Sequence, residues 1–478
     1  MFHTRRVLRF PGAAVALTLS AAAVALTPAT AAAQEYYADI QPLIQRNCMG
    51  CHGASGPGWN MEDADATYER RQMIAGMTLQ RLMPPWLAEP GHQEYVGDMS
   101  LDEQDLETIR RWRDAGFPRG RRVSDVAAND HRWAHPADAH AHAFEPDVSL
   151  EVLPGGTYLP VQTRPDDYRC FVVDWTEEQP GYITGFRARP GNLQVAHHVV
   201  VHAVAPALVE RFRELDAAED GPGYQCFGGA VPDRLGRRAE RDAYEAQHPG
   251  GIRELSRGNF WLAHWAPGMD GHVFPEGTGI RMVPGSALVV QMHYYGAAAP
   301  GQQDAGTRVE FMTQRTVERP AIHLAQTRNE WLGGQQNGSM VVQPGARATY
   351  EVSDQLSELV PWIARLTNVP QDNISGLEIH SVNLHMHAHG HSGIVSLTDG
   401  NGRKETLLSI PRWDLRWQRD FTLANPKTFS LGNLDGVTLT AECTFHNRTA
   451  EIVYGGYGSF DEMCFNFAYI AVQRTGQD

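Results

Sequence analysis

The chain has 478 residues and a formal net charge of -15 at pH 7, with 42% hydrophobic and 20% charged residues. That length accommodates two or three domains of about 100 to 200 residues each. An acidic chain of this kind lacks the basic face that nucleic acid selects, so a soluble protein with no nucleic-acid partner is expected.

Arg5, Arg6 and Arg9 precede an apolar run from Ala13 to Leu26, and Ala31-Ala32-Ala33 stand just before Gln34. This is the pattern of a secretory signal with a small-residue cleavage site, so residues 1–33 are expected to be removed and the mature protein to be exported, periplasmic or secreted. The apolar stretch falls short of the ~20 residues a membrane span needs, and no other window comes close, so no span is expected after cleavage. Residues 34–122 read as helix and loop, ending in an amphipathic helix from Leu101 to Ala115 with Leu106, Ile109 and Trp112 on one face. Residues 123–146 are polar and without apolar periodicity, a linker in which His131, His135, His140 and His142 read as solvated.

From Asp147 the texture changes to short β-rich runs separated by Gly and Pro: Tyr168 to Val173, His197 to Val204, Ala287 to Tyr295, Leu377 to His387, Gly436 to Phe445 and Phe465 to Val472. Such spacing predicts sandwiches or barrels. The region is too long for one sandwich, so two all-β domains are predicted, 147–300 and 301–478, parted in the Ala-Gly-Pro-rich stretch from Gly296 to Gly306.

Six cysteines must be placed: 48, 51, 170, 226, 443 and 464. Cys48-Met49-Gly50-Cys51-His52 supplies two thiols for the vinyl groups of a covalent haem c and a histidine for one axial position, so His52 is the expected proximal ligand. Met83, in Arg81-Leu82-Met83-Pro84-Pro85-Trp86, is the best sixth ligand, with Met73 and Met77 as alternatives; prolines stiffen a loop that presents the thioether. The surroundings of Met83 and the helix ending in Trp112-Arg113-Asp114-Ala115-Gly116 resemble class I cytochrome c domains fused to secreted enzymes, which implies a small all-α domain over 34–122. In an oxidising compartment the other four cysteines form two disulfides, with three connectivities open. No thiolate is then left for a blue-copper site.

Three histidines stand out in the first β domain: the adjacent His197 and His198, and His293 at the end of a long apolar strand. Adjacent strand residues point to opposite faces, so His197 and His198 can share a metal only at an edge or bend. In the second domain His385 and His387 stand two apart and project from one strand face, and Met463 can complete their site. Two imidazoles and a thioether are a soft set suited to Cu(I).

Together with Tyr168-Arg169-Cys170, Trp265-Ala266-Pro267-Gly268, Phe274-Pro275, Gly279-Ile280, Gln291-Met292-His293-Tyr294, Cys443 and Asp461-Glu462-Met463-Cys464, these residues resemble the copper type II, ascorbate-dependent monooxygenase family, which includes the peptidylglycine and dopamine hydroxylases. The resemblance implies two jelly-roll-like sandwiches, each holding one copper. His197, His198 and His293 would hold an electron-transfer copper, and His385, His387 and Met463 the copper at which O2 reacts. It also implies disulfides Cys170 to Cys226 and Cys443 to Cys464, and no ligand role for His202, His264, His389 or His391. The expected activity is copper-dependent hydroxylation of a C–H bond with O2. Electrons would reach the coppers through the fused haem from an external donor, a small reductant or redox protein; a haem and copper protein confined to electron transfer or copper binding is the alternative.

In the peptide-hydroxylating branch an arginine before the His-x-His pair, and an asparagine and tyrosine after the methionine, anchor the substrate carboxylate. Here Asn383, Phe465 and Phe467 stand at those positions. A small neutral or aromatic substrate is therefore expected, because a buried carboxylate without its charged partner is costly.

Overall fold

The computed structural model describes residues 34–53, 59–122, 144–163, 166–226, 229–232, 238–265, 269, 271–296, 299–332, 338–456 and 461–476. The signal segment, the linker histidines and residues 266–268 of the Trp265 motif lie outside the described residues.

The predicted strands form, and they fall in three of the five sheets that the described residues build. A nine-stranded sheet runs in the order Val148–Glu151, Arg308–Gln314, Gly181–Arg189, Thr278–Met282, Arg319–Gln326, Phe465–Arg474, Ile374–His385, Phe421–Ser430, with the short strand His272–Val273 paired to Gly181–Arg189. A five-stranded sheet, Tyr224–Gln225, Asp166–Asp174, Ala287–Tyr295, Ala196–Val204, Asn259–Trp265, covers part of it. A four-stranded sheet, Arg347–Gln355, Thr438–His446, Gly390–Thr398, Lys404–Ile410, covers another part.

Two sandwiches therefore form, but they share one sheet. The parallel pairing of Thr278–Met282 with Arg319–Gln326 carries that sheet from one half to the other. Alternation along the central strands lets one strand serve two cores. Ala321, Tyr469 and Ala471 enter the core under the five-stranded sheet, while Ile322, Leu324, Ala468, Ile470 and Val472 enter the core under the four-stranded one. Strand Arg308–Gln314, beyond the Gly296 to Gly306 stretch, still pairs within the first half.

Two disulfides form, Cys170–Cys226 and Cys443–Cys464, the pairing the resemblance implies. The second ties the residue after Met463 to the strand Thr438–His446. Cys48 and Cys51 remain free.

The N-terminal helices bury their own core, with Tyr36, Ile40, Ile44, Ile109 and Trp112 at its centre. The amphipathic helix runs Glu103–Asp114, and the Asp102 carboxylate caps it by accepting from Asp105 N. This segment is not separate from the β part. Trp86, Ala88 and Tyr95 belong to the core of the second sandwich, with Trp86 5.0 Å from Phe421 between ring centroids. Backbone bonds sew the seam, Glu89 N donating to Ser409 O (2.7 Å) and Val96 N to Thr422 O (2.8 Å). Among the described residues, no helix is long and apolar enough to cross a membrane.

Candidate metal centres

The strand Ala196–Val204 solves the problem that adjacent histidines pose. In its pairing with Ala287–Tyr295, His293 lies opposite His198 and Tyr294 opposite Ala196, so His197 is the extra residue of a β-bulge. A bulge re-aims its side chain, and His197 turns toward the side of the sheet that carries His198 and His293. The three Nδ1 atoms then converge, at 3.4 Å for His197 to His198, 3.1 Å for His197 to His293 and 3.2 Å for His293 to His198. Imidazole nitrogens each about 2.0–2.1 Å from one tetrahedral ion would be separated by roughly 3.3–3.5 Å. The triad is thus spaced to hold a metal ion.

Partners outside the triad hold it. Asp166 Oδ1 sits 2.9 Å from His293 Nε2, so that nitrogen carries the proton and Nδ1 keeps its lone pair. Tyr168 stacks on the same ring at 4.1 Å. Burial, helped by His293, brings His197 down to about 4, and burial with its histidine neighbours takes His198 well below its ordinary value. All are neutral at pH 7, the form that binds metal.

The second cluster lies at the end of strand Ile374–His385. His385 Nε2 is 3.0 Å from Met463 Sδ, and the His385 and His387 rings stand 5.2 Å apart at 90°. Each imidazole is oriented through Nδ1, His385 by Gln418 Oε1 (2.5 Å) and His387 by the Asp461 carbonyl (2.9 Å). Both Nε2 atoms are thereby left as acceptors. Glu462, fully buried, accepts from the backbone N–H of His387 (2.8 Å) and His389 (2.5 Å), which locks the His387 segment against the Met463 segment. Burial, then His387, brings His385 down to about 3. The two clusters are close enough that His385 disfavours protonation of His198.

Sequence reasoning missed Asp166, Gln418 and Glu462. His264, for which no ligand role was expected, lies 3.8 Å from Asp420 and acts electrostatically on both clusters. His202 is buried beside Trp261 with neither ring nitrogen bonded, and nothing in the structure accounts for it.

The depressed histidines make the metal-free protein acid-sensitive. Burial holds His202 and His323 near 4 as well. An unfolded histidine binds a proton below about 6.5 while these folded ones do not, so the unfolded state takes up more protons as pH falls. Stability is full above 6.5 and declines below it, by up to about 1.4 kcal/mol per pH unit for each such histidine. Thermal denaturation of copper-free protein is expected to show a markedly lower Tm at pH 5 than at pH 7; equal values would contradict this.

At the N-terminal end, Cys48 to His52 forms one helical turn, with Cys51 N and His52 N both donating to Cys48 O (3.2 and 2.9 Å). The thiols, three apart, share a face. His52 Nδ1 meets the Trp59 carbonyl at 2.8 Å, which leaves Nε2 free to ligate iron. Burial, reinforced by Cys51 and Asp105, pushes the Cys48 thiol up to about 12. Met83 lies half-buried in the turn after helix Arg71–Leu79, its N–H on Met77 O at 3.3 Å, while Met73 is 47% exposed.

Residues 365–475 match the family model described as the copper type II ascorbate-dependent monooxygenase, C-terminal domain. The match contains His385, His387 and Met463 but not the His197 triad. No curated protein matches the chain. Among solved structures it is similar to PNGF-II, at 10% identity over 69% of this chain and 66% of that one with a TM-score of 0.25. It is also similar to recombinant peptide:N-glycanase F, at 9% identity over 68% and 95% with a TM-score of 0.26.

Proposed function

We propose that the chain is an exported copper-dependent monooxygenase that hydroxylates a C–H bond of a small neutral or aromatic substrate with O2, receiving electrons through a c-type haem on Cys48, Cys51 and His52. The observation that carries this reading is the convergence of His385 Nε2 on Met463 Sδ at 3.0 Å within the stretch that matches the monooxygenase family.

In this reading His197, His198 and His293 hold one copper, and His385, His387 and Met463 hold the other. Copper at these positions supplies one-electron storage and the reduction of O2 that hydroxylation requires. The protein does the rest. Gln418 and the Asp461 carbonyl fix the two imidazoles of the second site in the tautomer that presents Nε2. The thioether of Met463, only 4% exposed, favours the reduced ion and keeps water away. Asp166 does for His293 what Gln418 does for His385. His52 and Met83 would be the axial ligands of the haem, and an external reductant or redox protein its electron source. Two disulfides suit an oxidising compartment.

The test is a cofactor count joined to an oxygen measurement. Protein produced with haem maturation and loaded with copper is expected to contain two coppers and one covalent haem, and to consume O2 when reduced in the presence of a neutral aromatic C–H substrate. Copper and haem without substrate-dependent O2 consumption would leave an electron-transfer protein instead.

A further inference from the structure

Arg419 sits on the seam between the N-terminal helices and the second sandwich. Its guanidinium lies 5.6 Å from the Trp86 ring, and Nη1 is 3.5 Å from Met99 Sδ. Nε is shut off from solvent and has no hydrogen-bond partner, and no carboxylate of the described residues pairs with this side chain. The side chain is only partly exposed, and a guanidinium with a buried Nε and no anion is costly, so such groups are ordinarily paired. The Cys51 sulfur is near enough to act on Arg419 electrostatically. Burial brings Arg419 down to about 10, which still leaves it charged at pH 7. Nearby, Arg412 Nη2 donates to the carbonyls of Gln80 and Arg81 (3.3 and 3.2 Å), which fixes this loop to the turn leading to Met83.

We propose that Arg419 binds a propionate of the covalent haem, supplying a cation to that carboxylate from the second sandwich. This rests on the haem reading of Cys48, Cys51 and His52. Trp86 and Met99, the two side chains that Arg419 touches, belong to the same N-terminal segment as Cys51. The next residue back, Gln418, bonds His385 Nδ1 at 2.5 Å. One dipeptide would then hold the haem through Arg419 and orient a ligand of the second copper site through Gln418. Arg419 is a positioning residue for the haem, and it seats the haem beside the His385 cluster.

The test is the haem midpoint potential in the full-length protein. Removing a positive charge beside the haem favours the ferric state, so Arg419→Gln is expected to shift the Fe(III)/Fe(II) equilibrium about tenfold toward ferric, a fall of about 59 mV for a one-electron couple. Arg419→Lys keeps the charge and is expected to stay within about threefold of wild type. A crystal structure of haem-loaded wild type gives a second test: a guanidinium nitrogen about 3 Å from a propionate oxygen is expected. Both propionates lying elsewhere, or a potential indifferent to Arg419→Gln, would overturn the proposal while leaving the haem reading intact. Wild-type protein without covalent haem would sink both.

Discussion

Replacing Met463 by leucine is expected to lower substrate oxygenation by at least about 100-fold while leaving the covalent haem and the copper of the His197 triad in place. Residues that only orient a metal's ligands are already worth 10–100-fold, and Met463 is proposed as a direct ligand. Its sulfur lies 3.0 Å from His385 Nε2, and its side chain is 4% exposed within the core of the second sandwich. Leucine is chosen because it keeps the volume, at a cost below about 1.5 kcal/mol, whereas alanine would add a cavity term and cost about 2–5 kcal/mol. The Cys443–Cys464 disulfide and the Glu462 bonds to His387 and His389 hold the backbone on both sides of the substitution. Copper content is expected to fall from two toward one, with an unchanged haem spectrum and a Tm close to wild type. A Met463→Leu protein that keeps half its oxygenation would remove the thioether from the mechanism.

How much of this could be read from the chain depends on the range of the interaction. The His385 and His387 pair is legible because it is local, two residues apart at a strand end, although the expected shared strand face does not form: the strand stops at His385, and His387 is oriented by the Asp461 carbonyl instead. The turn of Cys48 to His52 is legible for the same reason. His197 is different. Its rotation toward His198 and His293 requires a bulge set by the register against Ala287–Tyr295, a partner about 90 residues away. Asp166 and Gln418 are equally remote, 127 and 33 residues from the histidines they orient, and neither sits in a motif. The shared nine-stranded sheet also escaped the sequence, because a strand facing two cores shows the same apolar run as one buried in a single sandwich. Trp86 was read as part of a haem loop, yet its ring packs on Phe421 because that is where an apolar surface lies open to it.

Peptides ending in a free glycine carboxylate are expected to be turned over at least about 1,000-fold less efficiently, in kcat/KM, than a neutral aromatic substrate of similar size. Asn383 stands where the resemblance implies a carboxylate-binding arginine, and its Nδ2 is already committed to Asp420 Oδ1 at 3.0 Å. Its Oδ1 is a buried acceptor without a partner among the described residues. Across from it Phe467 stacks on Trp261 at 4.2 Å and lies near-parallel to Phe465 at 5.5 Å, an aromatic wall beside His385. Burial alone would raise Asp420, but His264, His323, His272 and Asn383 hold it below the usual carboxylate range. An anionic end group would therefore meet a buried anion and an acceptor oxygen. Juxtaposed like charges cost several kcal/mol, and about 4 kcal/mol corresponds to roughly 1,000-fold. Asn383→Arg adds a cation at that position and is expected to narrow the ratio by at least about tenfold, even though Asp420 would compete for it. Comparing the two substrates in wild type and Asn383→Arg decides the matter: efficient hydroxylation of the peptide by wild type would mean that other residues hold the carboxylate.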